Sequence, residues 1–214
     1  MRCRCLALSL LLTLAACGSS SAASEQSGTT GTTATHRTAS CGPAGARTLA
    51  ASSDARVDVS GESVYGCANG GPSYKLGASG QVVRENRVGP VAVAGKDAGY
   101  GVASFGVDTG YTEVVVRNLA TGQELHSAVA SRKFLVESFK VVDSIVVKSD
   151  GSVAWISEVT SVVSHRPYLE VHRLDSRGEA ILDTGSGITT RSLRLRGSTL
   201  TWRDGSRTRT ASLR

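Results

Sequence analysis

No apolar segment of this chain is long enough to cross a lipid bilayer as a helix, which takes about 20 residues. The longest largely apolar run, residues 6–16, covers eleven positions. No long segment shows the i, i+3, i+4, i+7 spacing of apolar residues that marks an amphipathic helix. The chain is therefore expected to lack membrane-spanning helices and to be built mainly from strands.

The usual signatures of catalysis and cofactor binding are missing too. The sequence has no Gly-x-Ser-x-Gly elbow and no Ser-x-x-Lys motif. It also lacks a Gly-x-Gly-x-x-Gly phosphate loop. The four histidines, His36, His126, His165 and His172, do not have metal-ligand spacing and are expected at surface or hairpin positions. The sequence thus indicates no catalytic residue, no metal site and no cofactor.

Two Asp-Thr-Gly triplets, at Asp108 and Asp183, match the signature of aspartic proteases, in which two carboxylates share one proton. They lie only 75 residues apart, which is too close for a single-chain enzyme with one lobe around each triplet. Asp and Gly are also the residues that tight turns demand. The triplets are therefore interpreted as turns.

The amino terminus carries the first positive signal. Arg2 and Arg4 give a charged start, the apolar run follows, and a Leu-Ala-Ala-Cys sequence ends at Cys17. This pattern resembles the lipobox of bacterial lipoproteins, whose signal peptide is cut before the cysteine. The resemblance implies removal of residues 1–16 and a diacylglyceryl group on Cys17. The alternative is an ordinary signal peptide that ends near a cysteine.

Residues 17–40 are predicted to form a flexible tether. Of the 23 residues after Cys17, 19 are Ser, Thr, Gly or Ala. Such a segment cannot bury enough apolar surface to offset the entropy lost on ordering. Its root-mean-square length is about 25 Å, enough to hold residues 41–214 clear of a membrane surface.

Cysteine usage fits an oxidising compartment. Cys3 and Cys5 would leave with the signal peptide and Cys17 would carry lipid, so Cys41 and Cys67 remain. Two cysteines in an extracytoplasmic domain predict a disulfide between them, worth ~3 kcal/mol. The alternative is a two-cysteine metal site, but further thiols or a nearby pair of histidines are lacking.

Residues 41–214 are expected to form one all-β domain containing a repeat. Four segments share an alternating apolar strand, a tight turn and a second strand with an aromatic residue. The segments are residues 56–65, 91–100, 145–155 and 193–202, and their aromatic residues are Tyr65, Tyr100, Trp155 and Trp202. Further strand candidates follow each aromatic residue.

Four strands per unit at this period resemble the blades of a β-propeller, as in the WD40-like and TolB-like repeat proteins. The resemblance implies a propeller-like domain of about four blades. The last unit has only three strand candidates, and residues 47–51 are the candidate for the missing one, which would close the ring. An open β-sandwich of the same hairpins is the alternative. The four aromatic residues are expected to pack in the core or between blades.

Charge is distributed unevenly, because residues 191–214 hold seven arginines and a single acid, Asp204. Such a basic stripe could face anionic lipid headgroups, teichoic acid or an acidic partner. The alternation of leucine and arginine after Leu193 instead favours arginines on the solvated face of an edge strand.

Together these patterns predict a lipid-anchored protein on the extracytoplasmic face of a cell membrane. Its membrane contact would be the lipid on Cys17, and its expected task is to present loops to an envelope protein or glycan rather than to nucleic acid. The competing interpretation is a hydrolase or lyase acting on envelope polymers. That activity would need two convergent acids or a histidine–acid pair. The sequence does not determine the oligomeric state.

Overall fold

The computed structural model describes residues 42, 45–80, 86–105, 110–133, 138–161 and 167–214. All of them belong to the compact unit Arg37–Arg214. The regular elements in this part of the chain are all β-strands, which confirms the predicted all-β class. Over the same ranges, no helix is long and apolar enough to span a membrane.

The strands form four antiparallel meanders, each built from strands that are consecutive in the chain. Meander 1 comprises β1 (Arg47–Ala51), β2 (Ala55–Ser60), β3 (Ser63–Ala68) and β4 (Tyr74–Ala78). Meander 2 comprises β5 (Arg87–Ala94), β6 (Asp97–Phe105), β7 (Gly110–Asn118) and β8 (Glu124–Val129). Meander 3 comprises β9 (Ser138–Val147), β10 (Val153–Ser161), β11 (Pro167–Asp175) and β12 (Gly178–Gly185). Meander 4 comprises β13 (Arg194–Arg196), β14 (Thr199–Asp204) and β15 (Arg207–Ser212).

The first strand corrects one expectation. Residues 47–51 were the candidate for the missing strand of the last unit, but β1 pairs antiparallel with β2 in meander 1. A short turn brings these two strands together, so the local hairpin forms in place of a long-range pairing. Meander 4 is left with three strands. A single parallel pair, Ala78 with Arg87, joins meanders 1 and 2 in one sheet.

Three apolar cores hold successive meanders face to face. The core between meanders 1 and 2 includes Val57, Val64 and Tyr100. Several strands of meanders 2 and 3 contribute side chains to two cores, because successive side chains of a strand point to opposite faces. On β10, Trp155 belongs to the core between meanders 2 and 3, while Ile156 belongs to the core between meanders 3 and 4.

This stacking of sheets fits the sandwich alternative. A closed ring of sheets is not seen among the described residues.

Glycine at position 101 allows β6 to approach its neighbours closely. A Cβ atom there would lie 2.7 Å from the carbonyl oxygen of Gly89 and 3.0 Å from the Cβ atom of Val142. Val142 lies on β9, so the missing side chain lets meander 3 pack directly against the backbone of meander 2.

Candidate functional site

The predicted lipid and disulfide residues fall mostly outside the described ranges. Cys17 and Cys41 both lie there. Cys67 lies on β3, is buried and is disulfide-bonded. The pairing of Cys41 with Cys67 therefore stays a prediction, as does the lipid on Cys17.

The four repeat aromatics occupy related but unequal positions. Tyr100, Trp155 and Trp202 are buried, and each belongs to a different one of the three cores. Tyr65 on β3 is half-buried. The indole nitrogen of Trp202 donates a hydrogen bond to Oδ2 of Asp183 at 2.8 Å.

That contact gives a packing role to one of the two Asp-Thr-Gly triplets, residues 183–185, which form the end of β12 and not the expected turn. The Asp183 carboxylate also accepts a hydrogen bond from the backbone N–H of Thr184, at 2.9 Å. Asp108 of the other triplet lies outside the described ranges.

A polar cavity lies between the edge of meander 2, two hairpin connections of meander 3 and Arg214. It encloses about 300 Å³ and is lined by His126, Asp150, Ser152, Asp175, Ser176 and Arg214. The cavity thus brings one histidine and two carboxylates together, the combination that the enzyme interpretation requires. Sequence spacing gave no sign of this cluster, because its members come from β8, the connection between β9 and β10, the end of β11 with the turn after it, and Arg214.

Both carboxylates of this cavity are held in their ionised form. The ammonium of Lys148 lies 2.8 Å from Asp150 and, with a hydrogen bond from Ser152, lowers the pKa of Asp150 to about 2. Burial alone would raise the pKa of Asp175, but hydrogen bonds from Arg177 and from the backbone N–H of Arg214 hold it well below its ordinary value. Neither group therefore suits the role of a proton donor at neutral pH.

Asp175 also connects Arg214 to meander 3 by a hydrogen bond. Its carboxylate accepts hydrogen bonds from the guanidinium groups of Arg173 and Arg177 and from the backbone of Arg214. Arg177 in turn donates to the carbonyl oxygen of Ser212 at 2.6 Å. These hydrogen bonds connect the turn between β11 and β12 to β15 and Arg214. The residues that line this side of the cavity therefore also hold meander 3 to meander 4.

A second polar cluster is fully buried between meanders 2 and 3. One carboxylate oxygen, Oε2 of Glu170, accepts hydrogen bonds from Ser131 Oγ at 2.6 Å, His172 Nε2 at 2.9 Å and the backbone N–H of Arg132 at 3.2 Å. Burial alone would raise the pKa of Glu170, but the bonds from His172 and Ser131 hold it below its ordinary value.

The buried cluster is wrapped by further side chains. Trp155, directly opposite His172 in the register of β10 and β11, stacks on its imidazole ring. At the more exposed edge, the guanidinium of Arg132 forms two hydrogen bonds with the Glu179 carboxylate.

The placement of His172 corrects the sequence-based expectation of a surface or hairpin position. Its side chain is 0 % exposed, and its Nδ1 atom has no hydrogen-bond partner in the described part of the chain. The alternation of β11 was the available signal: Leu169 and Val171 face one core, so Glu170 and His172 must face the other. His126 is exposed at the edge of meander 2, whereas His36 and His165 lie outside the described ranges.

A third titratable group lies at an irregularity of β9. Asp143 is the extra residue where the pairing of β9 with β10 shifts between Ile156 and Ser157. Burial, with a smaller contribution from the charge of Glu158, raises the pKa of Asp143 to about 6, and Arg191 partly offsets this. Its Oδ2 atom is buried without a hydrogen-bond partner among the described residues.

A metal centre does not emerge from these clusters. Within the described ranges, no group of three or more His, Cys, Asp or Glu side chains is arranged to hold a metal ion.

Comparison with known proteins gave no relative. No protein-family model matches the chain, and neither a curated protein nor a solved structure matches it.

Proposed function

We propose that this chain is a lipid-anchored, extracytoplasmic binding protein. In this proposal a diacylglyceryl group on Cys17 holds it to the membrane, residues 17–40 act as the tether, and residues 41–214 present loops and sheet faces to an envelope protein or glycan. The observation that carries the binding role is the continuous stack of four meanders joined by three apolar cores. Such a stack fixes a frame on which connecting loops are held in place.

We further propose that the meanders are arranged like the blades of a propeller. The first strands of meanders 1, 2 and 3 lie side by side: β1 packs beside β5, and β5 packs beside β9. Neighbouring blades of a propeller likewise bring their innermost strands together around an axis. Strand counts of four, four, four and three support about four such units.

An enzyme acting on envelope polymers is the second candidate, and the cavity beside His126 is the observation that favours it. The ion pairs of Asp150 and Asp175 weigh against general acid catalysis there, as described above. If the purified chain cleaved an envelope polymer and His126→Ala abolished the cleavage, the enzyme would replace the binding protein as the better account.

The binding role can be tested by cross-linking in intact native cells. An amine-reactive reagent can attack the exposed Lys75 and Lys96, after which the full-length protein is recovered by affinity and analysed by mass spectrometry. The proposal predicts a reproducible partner joined to residues within 41–214 and absent from an untagged control strain. Recovery of folded protein with neither a specific protein partner nor retained glycan would contradict it.

A further inference from the structure

Meander 4 has two chemically opposite faces. Leu200, Trp202 and Leu213 point into the core shared with meander 3. The other face, called here the Arg/Thr face, carries three arginines and five hydroxyl side chains, with no acid and no apolar residue. Its members are Arg194, Arg196, Thr199, Thr201, Arg203, Thr208, Thr210 and Ser212.

The strand register sets the distances between the three arginines of this face. Arg194 lies opposite Thr201, and Arg196 lies opposite Thr199. Two positions along the same strand are about 7 Å apart, which is the separation of Arg194 from Arg196. Arg203 follows Thr201 by two residues, so it is the diagonal neighbour of Arg194 at about 7–8 Å. The three arginines thus form a row in the order Arg196, Arg194 and Arg203, about 14 Å from end to end, with hydroxyl side chains beside it.

The positive charge of this face is not neutralised by the protein. All three arginines are exposed, and no carboxylate in the described ranges lies within 4.0 Å of their guanidinium groups. Asp204 of meander 4 and Asp183 of β12 pair with Arg209 instead. Arg209 lies opposite Trp202 and therefore on the other side of the sheet.

From this face we infer that the protein binds an anionic, hydroxyl-rich polymer with repeated phosphate groups, of the kind that a cell envelope contains. This inference rests on the proposed binding function and names its ligand class. A planar guanidinium can form paired hydrogen bonds with a phosphate, and three arginine positions at regular separations along the sheet match a polymer with repeated charges. One guanidinium nitrogen of Arg194 donates to the carbonyl oxygens of Arg191 and Leu193, which leaves its other N–H groups for a phosphate.

The hydroxyl groups add to this match. Thr199, Thr201, Thr208 and Thr210 offer donors and acceptors to the hydroxyls of such a polymer. The absence of any apolar side chain from the Arg/Thr face favours a polymer over a bilayer, because an interfacial membrane protein buries apolar side chains among the lipids.

Binding of the full-length chain to immobilised poly(glycerol phosphate) tests the inference, with neutral dextran as the reference polymer. The decisive variant is R194T/R196T/R203T, since threonine already occupies this face and favours strands. The matched control is K75T/R87T/R207T, which removes three positive charges from exposed positions elsewhere. Thermal unfolding of both variants verifies that they remain folded.

We expect the native chain to bind poly(glycerol phosphate) and not dextran. The Arg/Thr-face variant should bind at least tenfold more weakly, and the control variant should change by less than threefold. The slope of log affinity against log salt concentration should fall by about two to three in the face variant, because that many fewer counterions are released.

Three results would overturn the inference: no binding of the native chain at low ionic strength, equal weakening of both variants, or equal binding of the native chain to dextran. A fourth would be binding to phosphatidylglycerol vesicles, lost in the face variant, without binding to the polymer, which would assign the face to a membrane. The proposed binding function fails separately, through the absence of any partner in cross-linked cells.

Discussion

The indole ring of Trp155 lies parallel to the imidazole ring of His172, with centroids 4.8 Å apart and planes inclined by 6°. Trp155 also donates a hydrogen bond from its indole nitrogen to the carbonyl oxygen of Ala130 at 2.8 Å. Because Ala130 follows β8 and Trp155 lies on β10, this pair links meander 2 to meander 3. The buried Glu170 carboxylate completes the link through Ser131 and His172.

The buried carboxylate of Glu170 should therefore contribute to stability. Glu170→Gln keeps an acceptor for Ser131 and His172 but removes the charge, and we expect it to lower the free energy of unfolding by about 1–2 kcal/mol. Glu170→Leu leaves those donors unpaired and should cost about 3 kcal/mol. Urea unfolding at neutral pH measures both, and a leucine variant as stable as the native chain would contradict this role.

The same network predicts a loss of stability in acid. The folded-state pKa of Glu170 lies below its ordinary value of 4.5, so its contribution is present above the unfolded-state pKa. It is lost as the pH falls through the folded-state pKa.

Ionisation of Asp143 should lower the stability of the fold, the opposite of the effect of Glu170. The pKa of Asp143 is about 6 in the folded chain against 3.8 ordinarily, so its ionised form opposes folding above about pH 6 and this cost disappears below about pH 4. Asp143→Asn should raise the free energy of unfolding near pH 7 by about 1–2 kcal/mol, a value reduced for the partial exposure of this group. The gain should vanish near pH 4.

Unfolding in urea across this pH range provides the measurement, with Glu62→Gln at an exposed turn as the control. A constant difference between Asp143→Asn and the native chain at every pH would contradict the assignment.

Gly101 should be intolerant of a side chain. The Cβ atom of Gly101→Ala would meet the backbone oxygen of Gly89 at 2.7 Å, and we expect a loss of about 1–3 kcal/mol. Gly99 on the same strand is the matched control, because a Cβ atom there would lie 3.3 Å from its nearest neighbour, a side-chain atom of Val147. Gly99→Ala should therefore unfold at a higher temperature than Gly101→Ala. The reverse order would show that meanders 2 and 3 pack differently.

The disulfide prediction concerns Cys67, which is buried on β3. Non-reducing peptide mapping of the native protein should recover Cys41 joined to Cys67. Replacement of both by serine should lower the free energy of unfolding by ~3 kcal/mol, because the unfolded chain would no longer be closed into a loop. Free thiols at both positions in protein isolated without reductant would exclude the bond.

The all-β class followed from the sequence because alternation and turn residues are local properties. The hairpins around Tyr100, Trp155 and Trp202 could be placed in this way, and all three side chains are buried. The pairing of β1 could not, since residues 47–51 read Arg-Thr-Leu-Ala-Ala and carry no pattern that distinguishes a neighbouring strand from a distant one as the partner.

The candidate sites were less accessible to sequence reasoning. The cavity beside His126 and the network around Glu170 both join residues from different meanders, and three-dimensional stacking alone brings them together. His172 is buried because its face of β11 packs against meander 2. A search for metal-binding or nucleophile motifs does not detect a single polar residue on such a buried face.

The most direct test of the account is the state of Cys17 in the native host. Intact-mass analysis of the protein from the membrane fraction should show a chain that begins at Cys17 and carries the added mass of a diacylglyceryl group. Cys17→Ala should move the protein out of that fraction, because two acyl chains provide the stable anchoring. An unmodified Cys17, or unchanged membrane retention of the alanine variant, would contradict the proposal of a lipid-anchored binding protein.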